Sequence, residues 1–176
     1  MFYDDAKPEI ADGFDVDAGI EIMKFRRGEK RGVSDMLGKT WLWVDLSKKD
    51  LESIVKASKE CKYEPGDTIV KKGDRSLGFY LVLGGSVEVK SDGTTLSKLG
   101  PGQFFGEMSI LDDQPRSADV VAIEPSRCLV LSISAFKELV SSSPHIAVTI
   151  LQELARRLRA TDRMLNPPTL NPAVSG

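Results

Sequence analysis

The chain has little of what metal and redox centres are made from. It offers one histidine, His145, and two cysteines, Cys61 and Cys128, too far apart for a C-x-x-C unit. One histidine cannot supply the clustered ligands of a barrel metalloenzyme. Isolated cysteines in a chain without a secretory signal read as buried thiols. No apolar run approaches the ~20 residues that cross a bilayer as a helix. The opening MFYDDAKPEIADG lacks the basic and apolar segments of a signal peptide. Positive charge is not in excess either. The 24 basic and 26 acidic residues leave a net charge of -2, whereas proteins that grip nucleic acid through phosphates are usually basic. No nucleophile–base pair stands out. These absences predict a cytoplasmic, metal-free protein that is not an enzyme, with neither membrane nor DNA as partner. Hydrophobic residues at 41% and charged residues at 28% of 176 supply a core for one domain with extensions.

Charge divides the N-terminal region. Residues 1–23 carry seven acids and the single base Lys7, while residues 24–39 carry six bases against Glu29 and Asp35. Residues 1–36 therefore read as a charged, partly disordered leader, with a docking arm for an acidic partner as the alternative. The folded domain is expected over residues 37–165. Ser47 and Asp50 resemble a capping box, and Leu51, Ile54 and Val55 give helical spacing to an end near Lys59. Trp41 and Trp43, flanking Leu42, are expected to pack on the domain. Gly38-Lys39-Thr40 looks like the end of a phosphate loop, but the motif needs glycine at position 33, which is Val33.

From residue 61 to 131, short β-prone runs alternate with turn residues: Thr68-Ile69-Val70, Phe79 to Leu83, Ser86 to Val89, Ala118 to Ala122, and Cys128 to Leu131. That texture predicts a jelly-roll β-barrel. Ser134 is expected to cap a short helix from Ala135 to about Val140. Ser143-Pro144 then starts a long helix to about Leu165, with His145 exposed in its first turn. Pro167 and Pro168 stop it, leaving residues 166–176 as a tail. The expected fold class is mainly β, with one N-terminal and two C-terminal helices.

Residues 105–118 carry the chemistry. Gly106 allows close backbone approach. Met108 to Leu111 can form one helical turn, whose first N–H groups attract anions. Arg116 offers a planar cationic fork suited to phosphate, and Ser117 adds a hydroxyl. Glu107 would repel phosphate but can accept hydrogen bonds from a sugar. The residues alone also allow a plainer outcome, a Glu107–Arg116 salt bridge closing a loop.

Phe105-Gly106-Glu107-Met108-Ser109-Ile110-Leu111 followed by Arg116-Ser117-Ala118 resembles the phosphate-binding cassette of the cyclic nucleotide-binding domain family. Tyr63-Glu64-Pro65-Gly66-Asp67, Lys72-Gly73-Asp74 and Tyr80 to Val87 resemble its other recurring turns and strands. The resemblance implies that Glu107 accepts a ribose 2′-hydroxyl and that Arg116 pairs with the cyclic phosphate. It implies that Gly106, Ser109 and Ser117 complete the site, with Met108 and Ala118 beside them. It also implies that Arg157 lies near the nucleotide and that Thr161 meets the base. The implied ligand is cAMP, with cGMP the alternative, and no cofactor. Asp162 departs from the serine found there in the family's bacterial activators, so a base contact from a second subunit is not implied. Twelve residues follow Met164, too few for a DNA-reading unit, so the output partner is expected to be another protein.

Leu151, Leu154, Leu158, Thr161 and Leu165 alternate three and four apart. They form either the seam of a homodimer through residues 146–165 or a stripe covering the chain's own barrel. Arg156, Arg157, Arg159 and Arg163 read as a solvated face with one or two members reaching the ligand. A jelly-roll scaffold that binds no nucleotide, and a DNA-binding regulator using the basic arm Lys24 to Arg31, are the competing readings.

Overall fold

The computed structural model describes residues 46–166 continuously, and residues 21–23, 33, 34, 37, 38, 40, 42 and 43 before them. Within these residues the chain forms β1 (Glu21–Met23), α1 (Lys48–Ala57), β2 (Ser58–Tyr63), β3 (Thr68–Val70), β4 (Phe79–Gly84), β5 (Val87–Ser91) and β6 (Thr94–Leu99). It continues with β7 (Phe104–Phe105), α2 (Met108–Leu111), β8 (Asp119–Ala122), β9 (Ser126–Leu131), α3 (Ile133–Ser142) and α4 (Pro144–Leu165). One sheet has the order β1-β2-β9-β4-β7 and the other β3-β8-β5-β6. The pairings are antiparallel, as in the expected jelly roll.

Alternation along the strands builds two cores. Tyr63, Val70, Tyr80, Val82, Val87, Phe105, Val120, Cys128 and Val130 come from both sheets and fill the space between them. Their neighbours Phe79, Leu81, Leu83, Leu129 and Leu131 point the other way. They meet Leu51, Ile54 and Val55 of α1, Phe136 of α3, and Ile146 and Ile150 of α4. Phe79 stacks on Phe136 with centroids 4.7 Å apart. β4 is thus buried on both faces, so Phe79 to Leu83 is an unbroken apolar run rather than an alternating one. Trp43 lies fully buried in the second core with Leu37 and Leu42; Trp41 is outside the described residues. The Thr40 hydroxyl donates to the Leu37 carbonyl and closes a turn. Cys61 and Cys128 are register partners across β2 and β9. Both are buried free thiols, and burial pushes the Cys61 thiol up to about 11, out of the reactive range.

Several boundaries differ from expectation. The barrel begins at Ser58, not residue 61, and α1 ends at Ala57 rather than near Lys59. Ser58-Lys59-Glu60 pairs with Leu131-Val130-Leu129 of β9, and that ladder overrides the helical continuation. Residues 1–36 are not wholly an unpacked leader. Glu21–Met23 pairs with Lys62 to Glu60, giving the edge of β2 the backbone partners it needs. Ser34 is buried and Val33 packs on the second core. α3 is capped by Ser132, not Ser134: its hydroxyl accepts from the Ala135 N–H at 3.2 Å. Starting earlier lets Ile133 join the second core. α4 starts at Pro144 as expected, with Ser143 at the N-cap position but without a capping bond from its side chain. His145 is half-buried rather than exposed, 3.5 Å from the Thr149 hydroxyl. The acidic residues 1–20, the basic arm Lys24 to Arg31, the Asp50 side chain and residues 167–176 lie outside the described residues. No helix among the described residues is long and apolar enough to cross a membrane.

Candidate ligand-binding site

β7 runs into Gly106, whose φ of +85° is in the left-handed region. A Cβ there would lie 2.7 Å from Arg116 Nη1 and 3.0 Å from the Gly78 carbonyl. Only glycine lets the chain turn so closely under the arginine. α2 follows as the single turn expected from Met108 to Leu111, its Ile110 and Leu111 N–H groups both bonded to the Glu107 carbonyl at 3.0 Å.

Arg116 is 5% exposed. Its Nη1 donates to the Gly106 carbonyl at 2.7 Å and to Ser109 Oγ at 2.9 Å, and its Nη2 to the Gly78 carbonyl at 2.8 Å. The guanidinium lies 5.7 Å from the Tyr80 ring centroid. The burial that lowers its pKa is opposed by Tyr80 and Glu107. Arg116 therefore braces the backbone at Gly106 and Gly78.

Glu107 is 2% exposed. Its Oε1 accepts from Arg157 Nη1 at 3.1 Å, and its Oε2 is buried without a partner. Desolvation raises the carboxyl's pKa, with Arg157 the leading opposing influence. The ion pair of Glu107 is thus made with Arg157, and not with Arg116 as simple loop closure would have it. Arg157 also donates from Nη2 to the Phe104 carbonyl at 2.6 Å and from Nε to Glu153 Oε1 at 3.0 Å, and sits 4.8 Å over the Phe104 ring. One side chain so ties α4 to the junction of β7 and α2.

These groups face a cleft of about 200 Å3. Gly106, Glu107, Met108, Ser109, Arg116, Ser117, Ala118, Arg157 and Thr161, the residues singled out in the sequence, all line it. Met108 and Thr161 are exposed, and the Thr161 hydroxyl donates to the Arg157 carbonyl at 3.0 Å. Sequence reasoning missed the far wall, where Val70, Val89, Leu96 and Val120 leave an apolar surface broken by Ser97. Strand alternation was the only signal for it, and alternation does not say which strands meet. It also missed Glu153, buried in the core-facing row Ile146, Ile150, Glu153. A Glu there, four residues before an arginine, was the available clue. The cleft offers a cation and a helical turn at one end, an unpartnered acceptor beside them, and an apolar slot beyond.

On the outer face of α4, Leu151, Leu158 and Leu165 are 63%, 71% and 76% exposed. Leu154 alone of the leucine stripe packs on the second core. The stripe therefore does not cover its own barrel.

Residues 60–143 match the family model of the cyclic nucleotide-binding domain. The chain is 38% identical over 109 residues to the cyclic AMP receptor protein of Thermus thermophilus, covering 59% of this chain and 50% of that protein. It is 36% identical over 131 residues to Glutaminase 2 of Bradyrhizobium diazoefficiens, covering 72% of this chain and 21% of that one. The chain thus spans from about a fifth to half the length of these curated relatives. Among solved structures, a cyclic nucleotide-binding domain from Methylobacillus flagellatus superposes with a TM-score of 0.70 at 27% identity, covering 88% of this chain and 92% of that chain. With the two sheets and the flanking helices in agreement, residues 60–143 belong to the cyclic nucleotide-binding domain family.

Proposed function

We propose that the cleft binds a cyclic mononucleotide, cAMP before cGMP, and that the domain is a regulatory sensor rather than an enzyme. The observation that carries this reading is Glu107 Oε2. A buried carboxylate oxygen without a donor is costly, and a ligand hydroxyl delivered beside Arg157 would satisfy it. In this reading Glu107 accepts the ribose 2′-hydroxyl. Arg116 and the N-terminal turn of α2 take the cyclic phosphate, helped by Gly106, Ser109 and Ser117. Met108 and Ala118 flank the sugar phosphate, and the apolar wall takes the base. Thr161 supplies a hydroxyl at the base end, which favours the amino group of adenine. The name of the Thermus relative, a cyclic AMP receptor, supports the same choice.

Binding becomes a signal through α4, which Arg157 joins to the cassette. A nucleotide that engages both walls biases where the helix sits. The exposed row Leu151, Leu158 and Leu165 favours a second copy of the chain as the surface that reads the change.

Thermal shift with cAMP, cGMP and a cyclic dinucleotide tests the reading. A ligand at 100 times its Kd adds about 2.7 kcal/mol of stability. No shift with any of the three would leave a scaffold that binds no nucleotide. Sedimentation of Leu158→Glu tests the pairing: a dimer that becomes a monomer supports it, and a wild-type monomer refutes it.

A further inference from the structure

Glu153 occupies a row of α4 where its neighbours Ile146, Thr149 and Ile150 are buried, and it is itself only 7% exposed. An aliphatic residue would fill this position without the penalty of burying a charge. Instead both carboxylate oxygens are bonded, Oε1 to Arg157 Nε at 3.0 Å and Oε2 to Arg156 Nη1 at 2.6 Å. We propose that Glu153 is a positioning residue for the ligand: it fixes the Arg157 guanidinium, and through it the Glu107 carboxylate that receives the ligand hydroxyl. The inference rests on the reading of the cleft as a cyclic nucleotide site.

The geometry explains how. Nε is the donor nearest the arginine stem, so bonding it sets the plane of the fork. With the plane set, Nη1 points to Glu107 Oε1 and Nη2 to the Phe104 carbonyl. Arg157 is half-buried on an exposed stretch of helix, and a long side chain there has many rotamers to lose. Glu153 removes that freedom before the ligand arrives. Arg156 keeps the Glu153 carboxylate in place, while the Glu153 charge itself works against the ionisation of Glu107 and Arg157 works for it.

Calorimetric titration of the full chain with cAMP and 2′-deoxy-cAMP tests the role. Glu153→Met removes the acceptor but suits a buried site, so the fold is kept. It is expected to weaken cAMP about three- to tenfold, the weight of one hydrogen bond, and to weaken 2′-deoxy-cAMP less than about twofold. Glu153→Gln, whose amide oxygen still accepts from Nε, should stay within about twofold of wild type for both ligands. In an Arg157→Ala background Glu153→Met should add nothing. Equal loss for both ligands, full additivity with Arg157→Ala, or wild-type binding by Glu153→Met would each overturn the proposal while leaving the site standing. A wild-type chain that binds neither cAMP nor cGMP would sink the reading of the cleft, and the positioning role with it.

Discussion

The two halves of α4 have the same helical backbone, but only the first has a buried face. In the first half Ile146, Thr149, Ile150 and Glu153 are all at most 7% exposed, and Ile146 and Ile150 share a core with residues of β4, β9 and α3. In the second half Leu158, Met164 and Leu165 are 60% exposed or more. The boundary falls at Glu153 and Arg157, where the helix crosses from the helical core to the edge of the cleft. The first half is held by the fold. The second half, which carries Ala160 and Thr161 into the cleft, is held by one arginine. A helix anchored at one end and bare at the other can change position without disturbing the core that positions it.

The sharpest test of that division is stability. Ile146→Ala leaves a cavity in the second core and is expected to cost about 2–5 kcal/mol, seen as a large drop in Tm. Leu158→Ala, on the bare half, should change the stability of a single copy by no more than about 0.5 kcal/mol. Comparable losses would show that the second half is packed after all.

Ligand affinity should divide the cleft in the same way. Arg116→Ala removes a charge-assisted contact worth about 1.5–3 kcal/mol, roughly a ten- to hundredfold loss of cAMP affinity by calorimetry. It also leaves the Gly106 and Gly78 carbonyls without their donor, so Tm should fall as well. Lysine at this position rescues only in part, because it lacks the fork. Thr161→Ala, on the helix wall, should weaken cAMP by the weight of one neutral hydrogen bond, about 0.5–1.5 kcal/mol, and leave Tm unchanged. A Tm loss with Thr161→Ala would break the comparison.

The smallest effect concerns the unpartnered carboxylate. Glu107 titrates above its ordinary value of 4.5 because burial disfavours its charge. Between 4.5 and that raised value the folded chain holds a proton that the unfolded chain has lost. Stability of the protein without ligand therefore falls as pH rises through this window. Glu107→Gln removes the titration, so its Tm advantage over wild type should grow from about pH 4 to pH 7. An advantage independent of pH would mean that Glu107 titrates in the folded chain as it does in the unfolded one, its charge satisfied.

What the sequence determined by itself was local. The strand and turn texture from Thr68 to Leu131, the Ser143-Pro144 helix start, and the single turn after Gly106 each depend on residues within one or two turns of chain. The near side of the cleft was legible for the same reason: Gly106, Glu107, Ser109 and Arg116 lie within 11 residues of one another and line it together. The tertiary structure decided what distant pieces owe each other. Pairing of Glu21–Met23 with β2, the β2 start at Ser58, and the Ser132 cap all answer demands made by edges and cores elsewhere. Glu107 could equally have bonded Arg116 by sequence distance. It bonds Arg157 instead, 50 residues away, because packing of α4 on β4 and β9 delivers that guanidinium to its side. Ion pairs follow proximity in space, and only the packed fold sets that distance.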